Sequence, residues 1–515
     1  MATETELKLI APASAIEALP RLPWLREMAS GPARKEKLVS LYFDTPDCKL
    51  QRNGVALRLR RQGGKQTQTI KTADGGDGAL SRGEWDSPIR GNRPDLDAVK
   101  NTPLEPLLKN GAGKTVRAVF ETHVERITIP LKTGQSNVEL ALDRGFILAG
   151  KRREPLHEIE LELKDGDSRD LAALAERFTD TWPVSYGAQS KAERGYALRN
   201  GQRSPPVRGD AIRLGPAQCI GSAFSAIALS CLHHLVGNEA AIRKKDPEGI
   251  HQMRVGLRRL RAAISVFHEI AEDPKTETVK NGLKWLTDEL GPARDLDVLV
   301  EDALRPLREE NPGKHEIDIL KFDVQQQRKE GFARAKAAVE SARYRRLVID
   351  TALWLIAGAW SQRDDPLKQA ALQRPVKEFA PEVLGKRTKK IIKKTRKADE
   401  LDARGRHKLR IAVKKLRYST EFFASLFATR KQKKRREDFE RLLKALQDSL
   451  GKLNDIAVHD RLAGQMVQLG RCTKKELQKS YAMGLLSGGE HKQAASCIVK
   501  AKKTGRKLAD AKRFW

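Results

Sequence analysis

Residues 4–10 read Glu-Thr-Glu-Leu-Lys-Leu-Ile. In an extended chain successive side chains point to opposite faces, so Glu4, Glu6 and Lys8 share one side and Leu7 and Leu9 the other. The same period of two runs through V-A-L-R-L-R (55–60), Q-T-Q-T-I-K-T (66–72), V-E-L-A-L-D (138–143) and H-E-I-E-L-E-L (157–163). Gly, Pro, Asn and Asp separate these runs. Several alternating strands at regular spacing predict an antiparallel barrel or sandwich over residues 4–165. Helices are predicted at about residues 13–27 and 168–182.

The polar faces of these strands are sorted by sign. One strand offers Glu158, Glu160 and Glu162, another Glu139 and Asp143, and a third Arg58 and Arg60. A solvated outer face usually mixes Lys, Glu, Ser and Thr. Pointed inward instead, the strands would line a lumen with carboxylates and cations, which is costly without an occupant. Carboxylate oxygens suit Mg²⁺ or Mn²⁺, and Arg and Lys suit phosphoryl oxygens. The implied chemistry is metal-assisted phosphoryl transfer to water.

The composition adds a second theme. The chain has 515 residues, 98 Lys+Arg and 67 Asp+Glu, a net charge of +31. Residues 1–204 hold 33 basic and 28 acidic residues, leaving 65 and 39 for residues 205–515. The second part thus carries +26 and is the polyanion-facing one. The length calls for two or three domains. Five scattered cysteines with no CxxC argue against a disulfide scaffold or zinc site. No secretory signal is readable at the N-terminus, and the apolar stretch 219–236 contains Ser222, Ser225, Ser230, His233 and His234, so it reads as a buried helix. The expectation is a soluble cytoplasmic protein with no membrane partner.

The first 200 residues resemble the CYTH, or triphosphate tunnel metalloenzyme, superfamily. The resemblance rests on the E-x-E-x-K opening, L-Y-F-D-T-P (41–46), L-R-L-R (57–60), T-I-K (69–71), E-L-A-L-D (139–143), E-I-E-L-E (158–162) and S-K-A-E-R-G-Y (190–196), in that order. It implies an eight-stranded antiparallel tunnel with flanking helices, closed around a triphosphate. By position it implies Glu4, Glu6, Glu160 and Glu162 as metal carboxylates, with Glu158 and Asp143 nearby. Lys8, Arg58, Arg60, Lys71, Arg126 (with Arg117 as its alternative), Lys191 and Arg194 would cradle phosphates. Glu4, Glu6, Lys8, Lys71, Asp143 and Glu160 form the implied catalytic set, with Mg²⁺ or Mn²⁺ as cofactor and water as nucleophile.

Residues 200–209 (N-G-Q-R-S-P-P-V-R-G) read as a linker, and beyond them the pattern is helical. His251-Q-M-Arg254-V-G-L-Arg258-Arg259-L-Arg261 recurs as His407-K-L-Arg410-I-A-V-Lys414-Lys415-L-Arg417, 156 residues later. Downstream, E-L-G-P-A-R-D-L-D-V-L (289–299) is answered by S-L-G-K-L-N-D-I-A-V-H (449–459), with Ala457 where the first copy has Asp297. Two copies, at about 220–305 and 375–465, imply a pseudo-two-fold bundle. At ~100° per residue, His251, Arg254, Arg258 and Arg261 fall within roughly 80° of arc. Like charges three and four apart repel, so the repeated stripe points to an anionic ligand. The basic runs at 386–397 and 430–436 are assigned no site.

This half, residues 210–515, resembles the CHAD domain, an all-α helical domain that binds inorganic polyphosphate and associates with polyphosphate granules. The resemblance implies His251, Arg254, Arg258, Arg261, His407, Arg410, Lys414 and Arg417 as polyphosphate contacts, flanked by Arg259 and Lys415. The fold class is therefore α+β in two domains. The function expected is triphosphate hydrolysis joined to polyphosphate binding. Its rivals are a non-catalytic granule protein, or thiamine triphosphatase or adenylate cyclase activity. Nucleic acid is disfavoured, since aromatics are 5% of residues and none interleaves with the basic stripes. Oligomeric state stays open.

Overall fold

The computed structural model describes residues 5–72, 83–109, 111–201, 205–362, 365–467 and 473–515. Glu4 and Cys472 lie outside the described residues. The alternating runs form one antiparallel sheet: β1 (Thr5–Ile10), β2 (Arg34–Asp44), β3 (Val55–Gln62), β4 (Lys65–Thr72), β5 (Glu84–Pro88), β6 (Arg117–Thr133), β7 (Ser136–Ala149), β8 (Arg152–Asp165) and β9 (Ser185–Tyr186). Their spatial order is β5-β4-β3-β2-β6-β7-β8-β1-β9. The sheet thus has nine strands among the described residues rather than eight, the extra one being the two-residue β9 on the outer edge of β1. Three of its hairpins, β3–β4, β6–β7 and β7–β8, are tight. Gly63, Gly134 and Gly150 open the loops after β3, β6 and β7 at φ 57–59°, a region that favours residues without a Cβ.

Register follows from the alternation, since a one-residue slip would put the leucines on the charged side. Leu7, Leu9, Leu140, Leu142, Ile159 and Leu161 are buried on one face, under α1 (Ser168–Thr181) with Leu171, Leu174 and Phe178. The helix predicted at 13–27 is broken. It runs Ala13–Ala18, tightens to a 3₁₀ turn at Leu19–Arg21 and resumes at Pro23–Met28, because Pro20 and Pro23 lack the N–H that a continuous helix would use. Helix α2 (Lys191–Arg199) starts on a capping box between Ser190 and Glu193, which fixes where Lys191 and Arg194 project.

The second half is helical: α3 (Ile220–Val236), α4 (Pro247–Val266), α5 (Thr276–Val298), α6 (His315–Glu340), α7 (Ala342–Ala357), α8 (Val376–Thr395), α9 (Ala403–Phe422), α10 (Arg430–Val467) and α11 (Lys474–Asp510) are its long elements. The span Ile220–Arg243 is long and apolar enough to cross a membrane, yet 61% of its apolar window is buried inside the protein. The repeated stripes lie on α4 and α9, which pack against each other. The pseudo-two-fold is visible in reciprocal contacts. Arg259 reaches Glu421 at 2.7 Å while Lys415 reaches Ser265 at 3.0 Å; 415 and 421 are the repeat partners of 259 and 265. Phe267 meets its own partner, Phe423, with ring centroids 6.2 Å apart.

The halves share one continuous apolar core. Tyr186 on β9 is hydrogen-bonded to His233 on α3 at 2.8 Å, and Glu176 and Asp180 on α1 pair with Lys275 and Arg346.

Candidate functional site

Strand pairing puts the expected tunnel residues on one face. Glu6 lies opposite Glu162 and Lys8 opposite Glu160 across β1–β8. Asp143 lies opposite Glu158 across β7–β8 and opposite Arg126 across β6–β7. Further round the sheet, Arg58 and Arg60 stand on β3 and Lys71 on β4.

The acidic half is dense. Lys191 Nζ, brought in by α2, lies 2.9 Å from Asp143 Oδ2, 2.7 Å from Glu158 Oε2 and 2.6 Å from Glu160 Oε1. Arg126 holds Asp143 through two bonds of 2.7 Å and also meets Glu160. Arg194 donates to Glu158 at 2.8 Å, and Lys8 lies 3.4 Å from Glu160. Asp143 and Glu158 are fully buried. Burial alone would push these carboxyls up, but Lys191, aided by Arg126 or Lys8, outweighs it. All three are held below the usual carboxylate range, Glu160 well below. The same carboxylates hold the buried Lys191 ammonium well above the ordinary lysine value.

The cationic half is looser. Lys71 pairs with Glu84 at 2.7 Å, and Arg58 reaches the same carboxylate at 3.3 Å. Among the described residues Arg60 has only a long bond of 3.4 Å to Ser40 Oγ; burial, with Arg58 and Arg126 nearby, pushes it down to about 10. The Nε–H of Arg58 is buried and meets no acceptor among the described residues. Glu84 was not foreseen, because one Glu in a short strand carries no pattern of its own.

Asp143, Glu158 and Glu160 present carboxylate oxygens within 4.8 Å of one another. Of the metal set expected from the sequence, only Glu160 belongs to this trio. Glu6 lies on the same face, its side chain 29% exposed and 4.0 Å from Lys8, while Glu162 is held by Lys164 at 2.5 Å. The donor chemistry fits a hard divalent cation: three oxygen ligands with no soft atom among them. Arg126 reaches the cluster, whereas Arg117 is exposed at the far end of β6.

On the helical half, the stripes of α4 and α9 converge. Arg258 Nε lies 3.3 Å from Tyr418 OH. Arg254 bonds the Thr287 carbonyl at 3.2 Å and lies 3.7 Å from Asp295; its repeat partner Arg410 faces Asp455. Both Nε–H groups are buried without an acceptor among the described residues. Burial, then Arg410 and Arg258, push Lys414 down to about 7. His407 bonds Asn454 at 2.6 Å, and His251 is held low by burial and by Arg294, the residue equivalent to Asn454. The repeated D-L-D and N-D-I segments already marked these partners, though not what they would face. Arg261 is exposed and contacts Thr287 at 3.3 Å, and Arg417 lies over its neighbour Tyr418.

Arg259 differs from the stripe residues in its surroundings. It is 2% exposed and bonded to Glu421, His234 and the Asp210 carbonyl, with its Nε–H also lacking an acceptor among the described residues.

Residues 2–196 match the CYTH domain family and residues 226–464 the CHAD domain family. The chain joins a CYTH domain to a CHAD domain. It is 32% identical over 206 residues to an inorganic triphosphatase of Haemophilus influenzae, covering 39% of this chain and 56% of that protein. An uncharacterized protein of Mycobacterium tuberculosis is 27% identical over 337 residues, 61% of this chain and 62% of that one. The chain thus spans less than two thirds of the length of these relatives. The solved CHAD domain from Ricinus communis is 29% identical, with 59% of this chain and 96% of that chain covered at a TM-score of 0.49.

Proposed function

We propose that the CYTH half hydrolyses inorganic triphosphate with Mg²⁺ or Mn²⁺, and that the CHAD half binds long-chain inorganic polyphosphate. We place the protein in the cytoplasm, at polyphosphate granules. The observation that carries this reading is one sheet face divided by sign. The carboxylates of β7 and β8 are gathered at one part of it, and Arg58, Arg60 and Lys71, including a buried guanidinium N–H with no acceptor, line another. Uncompensated buried donors are rare in folded proteins, and a water, an ion or a ligand completes them.

In this reading Arg58, Arg60 and Lys71 bind the phosphoryl oxygens and offset charge as it develops on the leaving phosphate. Asp143, Glu158 and Glu160 would hold the divalent cation, which supplies Lewis-acid polarisation and an acidified water when bound. Arg126 and Arg194 orient those carboxylates, and Lys191, which lies against all three, keeps them ionised and would give way to the cation. The relative's name supports inorganic triphosphate as the substrate. For the CHAD half, the unsatisfied Nε–H groups of Arg254 and Arg410, related by the repeat, support a polyanion along α4 and α9.

The test is phosphate release from triphosphate, ATP, thiamine triphosphate and polyphosphate, with Mg²⁺ or Mn²⁺, for wild type, Glu6→Ala and Glu160→Gln. Metal-dependent release from triphosphate above the other substrates, lost in Glu160→Gln, is expected. No metal-dependent turnover on any substrate rejects the enzyme and leaves a binding protein.

A further inference from the structure

The pseudo-two-fold of the CHAD half is broken at one chemically decisive position. On one flank of the α4–α9 pair, Arg259 is neutralised by Glu421 at 2.7 Å and sealed from solvent. On the other, the repeat places Lys415 against residue 265, which is serine. Lys415 Nζ bonds the Ser265 hydroxyl at 3.0 Å, and Arg387 on α8 donates to the Ser265 carbonyl at 2.8 Å. Two cations therefore converge on one neutral residue, where the equivalent site has a carboxylate. Among the described residues neither meets a carboxylate within 4 Å.

More positive charge gathers here. Arg261, Lys390 and Lys280 all act on Lys415. Lys280 is shared with Glu277 at 2.8 Å, and the nearest anion acting on Arg387, Glu269, is taken by Lys386 at 2.9 Å. Burial and these four cations push the Lys415 ammonium down. Burying like charges without a counter-ion is unfavourable, and the flank stays partly open, since Arg261 and Lys390 are exposed. Arg261 also belongs to the stripe on α4, so the cluster is continuous with the groove.

We infer that Lys415, Arg387, Arg261, Lys390 and Lys280 form an exit subsite that takes up the continuing phosphate chain as it leaves the Arg254–Arg410 groove on the Ser265 flank only. This rests on the polyphosphate reading above. It gives the groove a direction, because the Glu421 flank has its charge neutralised from within. A chain just long enough for the groove would not feel the subsite, whereas a longer one would.

Two full-length variants test this against sodium polyphosphate of short and long defined lengths, with affinity measured by calorimetry across salt concentrations. Ser265→Glu supplies the open flank with the carboxylate found on the other and removes no cation. Lys280→Glu/Lys390→Glu reverses two peripheral charges and holds if the first variant does not fold. Both should weaken long-chain binding, by about tenfold or more, and the double variant should lower the slope of log K against log salt by about 1.4, for two phosphate contacts at ~0.7 each. Short-chain affinity should stay as in wild type. Unchanged long-chain affinity in folded variants, or an equal loss for both lengths, overturns the subsite. Wild type that binds neither length brings down the groove reading as well, so the two failures are distinct.

Discussion

Replacing Lys191 by methionine removes one ammonium from among Asp143, Glu158 and Glu160 while keeping most of the side-chain volume. At an effective dielectric constant of about 20, each contact near 2.7 Å is worth about 6 kcal/mol in Coulomb terms, so three come to roughly 18 kcal/mol before desolvation. That gross figure is not the expected loss, because the variant can respond by binding a proton. Protonating a glutamate of ordinary pKa ~4.3 near pH 7 costs about 3.7 kcal/mol, which sets a ceiling close to the ~3–5 kcal/mol typical of a broken buried pair. Arg126 and Lys8 remain, so about 3 kcal/mol is expected. The sign with pH follows from depressed carboxyls. Their contribution is present above the unfolded pKa and lost as pH falls through the folded one. The variant, whose carboxyls are less depressed, should therefore differ most from wild type near neutrality and converge with it as acid protonates the trio. Hydrogen exchange on β7 and β8 reports this locally, without assuming that two domains unfold together. Roughly 100-fold faster exchange near pH 7, narrowing towards pH 4–5, is expected for a difference of about 3 kcal/mol. Wild-type protection at neutral pH, or a deficit independent of pH, would refute the account of Lys191 as the counter-ion of this cluster.

Arg126→Lys keeps the charge and loses the two-pronged hold on Asp143; kcat/KM for triphosphate should drop by about 10–100-fold, given ~1.5–3 kcal/mol for charged hydrogen bonds, while Arg117→Lys stays at the wild-type value. Lys414, set near 7 by burial and by Arg410, Arg258 and Arg254 despite Asp455, is charged below that pH. Polyphosphate affinity measured by titration at fixed salt should therefore fall as pH rises through about 7, and Lys414→Met should flatten the profile; an unchanged profile would show that Lys414 does not meet the ligand. Arg259→Met should lower the unfolding midpoint of the CHAD half, with about 2–3 kcal/mol lost from a buried charged network, yet leave polyphosphate affinity intact once folded. A loss of affinity at unchanged stability would return Arg259 to the groove.

Much of this architecture was legible because strand alternation and helical repetition are properties of the chain itself. The period of two assigned Leu7, Leu140 and Leu161 to the core and Lys8, Asp143 and Glu160 to the opposite face, and pairing had only to bring them into register. What alternation does not encode is which neighbours close on one another. Glu162 and Glu160 are equivalent in the sequence pattern, yet one is engaged by Lys164 and the other by Lys191, a choice made by where α2 docks. Glu84 was silent for the same reason: its meaning comes from lying across from Lys71. On the helical half, the stripe geometry selected Arg254, Arg258, Arg410 and Lys414. It left Arg259 outside the arc, where only the family resemblance counted it as a flanking contact, and tertiary packing puts Glu421 and His234 against that one guanidinium.

The duplication turns such packing differences into a physical comparison within one molecule. Each repeat supplies the other's reference, so a substitution between copies shows what the common framework does not require. Glu421 and Ser265 occupy equivalent places beside equivalent cations, and the fold accommodates both. The carboxylate is therefore not needed to assemble the α4–α9 pair, and its absence on one flank is not a defect of packing. The contrast between Asp297 and Ala457 follows the same logic: Asp297 gathers Arg294 and Arg328, binding the first copy's basic residues to its own scaffold, whereas Ala457 offers no such anchor to the second. On the proposed reading, a ligand crossing the two-fold would meet Arg254 beside Asp295 on one side and Arg410 and Lys414 beside Asp455 on the other. The two halves of the groove are related in backbone but unequal in the carboxylates beside their cations, so on the proposed reading a symmetric polymer would lie in an asymmetric register.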